Sequence, residues 1–197
     1  MGIGKDRRTA VVSRQLILDA AEEVFSEKGY ASATIREVAR RAGISIGGIY
    51  LYYKHKEQLY ADVMHRQMEF LRGKIDRLHN EEPLTALELF FDIYIDYVAK
   101  ETRLLSTLMK EYDLKIQQPM REEHDRSQQR ILFQILRKGV DAGKFKDFGK
   151  DLGYEKTIDI IRYCLAGLIL SFISGEIQDI KGQGKTVFEF ILNAIKK

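Results

Sequence analysis

The sequence predicts an all-α protein, with a short three-helix unit of helix-turn-helix type ahead of a larger helical domain and about nine helices in all. Three observations predict it. The 197 residues hold only two prolines, Pro83 and Pro119, and the stretches between them carry apolar residues at helical spacing. Thr34 to Leu59 reads as two short helices about a glycine turn, followed by the start of a third. Apolar content of 45% is ordinary for a globular chain of this length, which buries a sizeable core without staples.

Residues 1–12 read as a flexible basic arm in which Lys5, Arg7 and Arg8 are available to a polyanion. Ser13 caps a first helix to about Lys28. Ile17, Ala20, Ala21, Val24 and Phe25 form its inner face and Gly29 ends it. Thr34 with Glu37 three residues on is a capping box. Ile35, Val38, Ala39 and Ala42 line the second helix, Gly43 supplies its left-handed end, and Ser45 caps the next helix. The expected core of this unit, residues 13–55, is Ile17, Ala21, Val24, Phe25, Ile35, Val38, Ala39, Ile44 and Ile49.

A second domain is expected over residues 56–197. A fourth helix runs from about Lys56 to Leu78, a fifth from Leu84 to about Lys100 and a sixth from Thr102 to about Ile116. Pro119 opens a seventh, acidic at Glu122, Glu123 and Asp125 and closing by Gly143. An eighth spans Tyr154 to about Ser174, and a ninth, after a loop at 175–184, Lys185 to Ile195.

From Cys164 to Ile173 the eighth helix is apolar nearly all round, so it needs cover on more than one side. Either it is the monomer's own core, or a second copy covers the last two helices in a two-fold bundle through Leu165, Leu168, Ile169, Phe172, Phe188, Ile191 and Leu192. A helix-turn-helix reader tips this toward a homodimer, because such readers engage two half-sites. The run Tyr163–Ile173 is too short to span a bilayer, so no membrane partner is expected.

The net charge is +3. Residues 1–60 hold 10 Lys/Arg against 7 Asp/Glu and the remainder 22 of each, so the whole excess sits with the helix-turn-helix. This suits a polyanion partner, and the helix-turn-helix makes that partner double-stranded DNA. One cysteine, Cys164, excludes an intramolecular disulfide, and the basic start lacks an apolar signal core, which together fit the cytoplasm. His55, His65, His79 and His124 lack metal-ligand spacing. Gly182–Thr186 resembles the end of a phosphate loop but has Asp179 where the motif needs glycine. No nucleophile–base pair is legible, so no catalytic residue, metal or cofactor is expected and an enzyme is disfavoured.

Ile17 to Phe25, Lys28-Gly-Tyr30, Thr34 to Ala39, Ala42-Gly-Ile-Ser45, Gly47, Ile49-Tyr50, Tyr52-Tyr53, Lys56-Glu57 and Leu59 together resemble the TetR family of bacterial transcriptional regulators. The resemblance is specific over residues 13–60 and beyond them rests on helix number and the apolar last pair. It implies phosphate contacts from Thr34, Tyr50 and Lys56, and base or groove contacts from Arg36, Ile46, Gly47, Gly48 and Tyr52. The chain departs from the family pattern at Ile46, Gly48, Tyr53 and His55, which leaves a reading surface poor in hydrogen-bond donors. Ile46 can pack on a thymine methyl, and Arg36 can pair with guanine.

The resemblance also implies a small-molecule effector of unstated identity. Its pocket is expected among Phe70, Phe91, Tyr94, Tyr97, Met109, Tyr112, Phe133, Tyr163 and Phe172, each of which, taken alone, reads more readily as core. The expected function is a ligand-responsive regulator, a repressor by family expectation, released from a palindromic operator by a small apolar or amphipathic effector. A DNA-binding helical protein without effector and a small-molecule binder or enzyme are the alternatives.

Overall fold

The computed structural model describes residues 3–110, 118–148 and 152–197. Eight α-helices follow in order among them: α1 (Ile3–Ser32), α2 (Ile35–Ala42), α3 (Ile46–Tyr50), α4 (Lys56–Ile75), α5 (Pro83–Lys110), α6 (Gln118–Asp141), α7 (Tyr154–Ile173) and α8 (Ile180–Ile195), with a 3-10 turn at Asp76–Asn80. The all-α expectation holds. The chain forms two compact units, Met1–Gln67 with Arg103–Met120, and Met68–Thr102 with Arg121–Lys197.

The first unit is built on a core of Ile17, Ala21, Val24, Phe25, Val38, Ala39 and Ile49, with Ile35 and Ile44 half-buried against it. These are the nine residues the helical spacing selects. Tyr53, Leu59, Tyr60, Val63 and Met64 join them, so the first turns of α4 are part of this unit's core rather than a link leaving it. Phe25 and Tyr60 meet edge to face with ring centroids 5.0 Å apart.

Four expectations about element boundaries change. Residues 3–12, read as a flexible arm, continue α1, whose only break is at Gly29 (φ 78°). The fifth and sixth helices are one element, α5, bent at Glu101 (φ −103°, ψ 22°). There the Thr102 hydroxyl donates to the Val98 carbonyl at 2.7 Å, a back-bond that bends helices. α4 ends at Ile75 and passes into the 3-10 turn. The last helix starts at Ile180, not Lys185, because Asp179 caps it by accepting from the Gly182 N–H at 2.9 Å. Gly182 and Gly184 disguise that first turn in the sequence. A Cβ on Gly184 would lie 2.2 Å from Ile95 Cδ1, so the glycine lets α8 approach α5 closely.

In the second unit, Leu87, Phe90, Phe91, Tyr94 and Ile95 of α5 pack in the core with Leu132 and Leu136 of α6 and Ile158, Ile161, Leu165 and Leu168 of α7. Phe145 and Phe148, from the segment after α6, are buried as well.

By length and composition Tyr154–Ser174 is apolar enough to cross a bilayer, contrary to the shorter run read in the sequence, but only 28% of its apolar 18-residue stretch is buried. α7 is therefore not enclosed on all sides. Its inner face packs into the core of the unit. Its outer face carries Ile160, Tyr163 (68% exposed) and Leu170 at spacings of three and seven residues, with Phe190 of α8 73% exposed. Of the residues expected at a dimer interface, Leu165, Leu168 and Ile191 are buried within the unit, while Ile169, Phe172, Phe188 and Leu192 are half-buried. The most exposed apolar side chains of these two helices, Ile160, Tyr163, Leu170 and Phe190, lie outside the expected set.

Candidate nucleic-acid interface

The turn that presents the interface forms as its residue types dictate. The Thr34 hydroxyl accepts from the Glu37 N–H at 3.3 Å, and the Glu37 carboxylate accepts from the Thr34 N–H at 3.1 Å. This is the full capping box. Gly43 closes α2 in the left-handed conformation (φ 69°), which a side chain would strain. Ser45 Oγ accepts from the Gly48 N–H at 3.0 Å and starts α3. A Cβ on Gly48 would sit 3.3 Å from that oxygen, whereas one on Gly47 meets nothing closer than 3.9 Å. Gly48 thus keeps the cap open, and Gly47 is a bare patch of exposed backbone.

The charges partition sharply. From residue 14 to 60 there are seven Lys/Arg: Arg14, Lys28, Arg36, Arg40, Arg41, Lys54 and Lys56. Arg14 holds Asp62 at 2.5 Å and the Tyr53 hydroxyl at 3.2 Å. Arg41 reaches both Glu27 oxygens (2.9 and 2.8 Å) and Glu23 at 2.9 Å. Lys28 pairs with Glu37, and this contact, followed by the Thr34 hydroxyl bond, pulls the Glu37 carboxyl down to about 2. Among the described residues Arg36, Arg40 and Lys54 carry side-chain charges engaged by no protein partner. Arg36 and Arg40 are four residues apart and so share one face of α2.

Lys56 is not placed as the resemblance implies. Its ammonium donates to the carbonyls of Tyr30 (2.6 Å), Ala33 (3.0 Å) and Ala31 (3.4 Å) and lies 4.3 Å from the Tyr30 ring centre. All three of its N–H groups face the end of α1, so the side chain is committed to the joint between α1 and α2. Its own main-chain N–H still opens the first turn of α4. Thr34 is similarly occupied, since its hydroxyl donates to Glu37 at 2.9 Å. Of the three residues given as phosphate contacts, Tyr50 alone presents a hydroxyl with no protein partner, on a residue 51% exposed.

Of the expected base contacts, Arg36, Ile46 and Gly47 are exposed, Gly48 is half-buried, and Tyr52 is half-buried against the core. Sequence reasoning missed Leu51. It is 84% exposed, the most open large apolar side chain among the described residues. Along Tyr50-Leu51-Tyr52-Tyr53 the first two side chains are exposed, Tyr52 is half-buried and Tyr53 is buried.

The expected effector pocket is not gathered round one cavity. Phe91, Tyr94 and Tyr97 are buried core, Phe70, Phe133 and Tyr163 are exposed, and Phe172 is half-buried. Met109 belongs to the first unit, and Tyr112 lies outside the described residues. A cleft of the second unit, about 540 Å³, is lined instead by the 3-10 turn, the start of α5 and the C-terminal half of α6, including Leu78, Pro83, Ala86, Ile131 and Ile135. Phe133 lines a smaller one with Glu155, Ile158 and Asp159.

A polar cluster lies inside this unit. Tyr94 (3% exposed) brings its hydroxyl 3.3 Å from His124 Nε2, and Gln128 Nε2 is 3.1 Å from the same nitrogen. Arg162 donates to Gln128 Oε1 at 3.1 Å and pairs with Asp125 at 2.8 Å and Asp159 at 3.5 Å. Burial lowers the pKa of His124 and raises that of Tyr94, so both are neutral near pH 7.

Comparison with known proteins agrees with this geometry. Residues 17–63 match the family model described as bacterial regulatory proteins, tetR family. The transcriptional repressor KstR2 of Mycolicibacterium smegmatis is 26% identical over 148 residues, which cover 72% of each chain. A TetR transcription regulator from Haloarcula marismortui superposes with a TM-score of 0.83 at 18% identity, covering 95% of this chain and all of that one. The regulator FadR of Bacillus subtilis, solved in complex with stearoyl-CoA, superposes at 0.74 with 22% identity, covering 90% and 97%. The helix-turn-helix geometry and the matched segment identify residues 17–63 as a helix-turn-helix segment of the bacterial regulatory proteins of the tetR family, and the chain shares the fold of the solved TetR regulators.

Proposed function

We propose that the chain is a homodimeric repressor acting in the cytoplasm, in which residues 13–55 read an operator and residues 56–197 bind an effector and hold the dimer. The observation that carries the DNA reading is the charge partition. Four of the seven cations of residues 14–60 are consumed in internal contacts, while Arg36, Arg40 and Lys54 stay open on the same helix-turn-helix unit that exposes Ile46, Tyr50 and Leu51. Cations left unneutralised next to apolar and hydroxyl groups suit a surface that meets phosphates and thymine methyls.

In this reading Tyr50 and the first-turn N–H groups of α4 bind phosphate. Arg36 reaches a base or the adjacent backbone, and Gly47 lets the α3 backbone approach the groove. Thr34 and the Lys56 side chain act indirectly, by fixing the start of α2 and the end of α1.

Dimerisation uses the outer face of α7 with Phe190 of α8, so that two readers face one side of the duplex about one helical turn apart. An apolar or amphipathic effector favours a dimer whose readers no longer match that spacing, and it acts only by binding the two states unequally. The long acyl chain carried by the FadR neighbour is a ligand of this kind. α4, which contributes residues to both compact units, is the transmitting element.

The test is selection of a duplex from a randomised pool by the full chain, followed by titration of the selected and a scrambled duplex. A two-fold symmetric selected site, bound at least a hundredfold tighter than the scrambled one, is expected. Equal affinity for both sequences would refute an operator-reading function.

A further inference from the structure

The cluster around His124 has more donors than acceptors. The Arg162 guanidinium can only donate, so its bond to Gln128 Oε1 fixes the Gln128 amide with its NH₂ toward His124. His124 Nε2 must then be an acceptor, and it has one lone pair. Both the Gln128 N–H and the Tyr94 O–H converge on that lone pair. A third donor stands beside them: the Ser127 hydroxyl, on a residue only 7% exposed, is the one buried side-chain polar atom among the described residues with no hydrogen-bond partner. Ser127 is one turn along α6 from His124 and one turn before Ile131, which lines the 540 Å³ cleft. A buried orphan hydroxyl is costly unless something answers it.

The charge at this site is already balanced against anions. Arg162 is its cation, 14% exposed at the side chain, and Asp125 and Asp159 both engage it. A carboxylate brought in would meet two carboxylates and one neutralised guanidinium. A neutral acceptor would meet the unanswered Ser127 hydroxyl and the Tyr94 O–H, which shares a single lone pair with Gln128.

We propose that Tyr94, Ser127 and Gln128, arranged about His124, receive the uncharged carbonyl oxygen of an otherwise apolar molecule whose body lies along the cleft walled by Leu78, Ala86, Ile131 and Ile135. From Ile135 to Ser127 the helix rises roughly 12 Å, which suits an apolar body of about ten carbons. This rests on the effector reading above and deepens it by naming the ligand class.

The test titrates the full chain at pH 8 with 2-decanone and with decanoate, which share an apolar body and differ at the head. Binding is read by calorimetry, and operator release by fluorescence anisotropy of a selected duplex. The ketone binds at least tenfold tighter than the carboxylate. Ser127→Ala, which removes an unanswered hydroxyl, keeps or raises Tm yet weakens the ketone about threefold to tenfold, and Tyr94→Phe weakens it in the same direction. Decanoate binding as tightly as the ketone, or ketone affinity untouched in both variants, overturns the assignment. If the ketone fails to bind a protein that still binds its duplex, the ligand class falls and the regulator stands. If it binds but leaves DNA affinity unchanged, the site stands and effector-driven release falls.

Discussion

Lys56 separates two roles that mutagenesis usually confounds. Its ammonium makes three bonds to main-chain carbonyls at 2.6, 3.0 and 3.4 Å, two of them part-buried, and sits against the Tyr30 ring. Lys56→Met keeps the stem and removes the charge. A charge-assisted bond contributes about 1.5–3 kcal/mol when well made, and the third here is long and exposed, so a total loss of about 2–3 kcal/mol is expected. In a chain of this size that is a fall in Tm of roughly 5–10 °C. The salt dependence of DNA binding should hardly change. A phosphate clamp gives up about 0.9 in the slope of log K against log salt per contact, about 1.8 for a dimer. Lys54→Met, which removes an open charge, should show that loss with Tm unmoved. The measurements are anisotropy titrations of a random duplex from about 50 to 300 mM KCl, the range over which such slopes resolve, together with calorimetric melting. A Lys56→Met protein that melts like wild type and loses the slope of a lost phosphate contact would refute the positional role.

Other outcomes are equally open to measurement. Gly47→Ala has room for its methyl and gains about 0.5–1 kcal/mol of helix propensity, so Tm should rise while DNA affinity drops; unchanged affinity would show that the backbone does not approach the groove. Leu170→Arg on the open face of α7 should give folded monomers on a sizing column, whereas Leu168→Arg, inside the unit, should unfold it. A folded dimer from Leu170→Arg would move the interface elsewhere. The Glu37 carboxyl, held down to about 2 chiefly by Lys28 and then by Thr34, contributes stability that is complete above about 4.5 and is lost as pH falls from there through about 2. A carboxyl-carbon NMR titration places its midpoint, and a midpoint near 4.5 would break the link between the capping box and Lys28.

Local rules carried the helix-turn-helix. Thr34, Gly43 and Ser45 act through partners three or four residues away, and their geometry follows from residue type alone. What sequence did not carry depends on partners distant along the chain. Lys56 is 23 residues from its nearest carbonyl partner in sequence, so spacing does not reveal that its charge is spent internally. Arg41 looks as free as Arg40 until Glu23 and Glu27 are placed beside it by the packing of α1 on α2. The apolar run of α7 announced burial but not which side is buried, because a helix apolar on both sides has no periodicity from which to choose a face. Gly182 and Gly184 hid the start of α8 because glycine argues against a helix locally, while the close approach to Ile95 favours it globally.

The interface of α7 and the interface with DNA are joined by arithmetic. Each protomer offers three open cations on its helix-turn-helix, Arg36, Arg40 and Lys54. If each neutralises one phosphate, a monomer's slope of log K against log salt is roughly −2.7 and a dimer's roughly −5.4. Between 50 and 200 mM salt those slopes cost about 40-fold and about 2,000-fold in affinity. The electrostatic part of binding at moderate salt is thus a property of the pair. Leu170→Arg, which leaves every residue of the reader untouched, should halve the slope as it abolishes the dimer. A monomeric variant that keeps the full slope would mean that cations other than these three meet the phosphates.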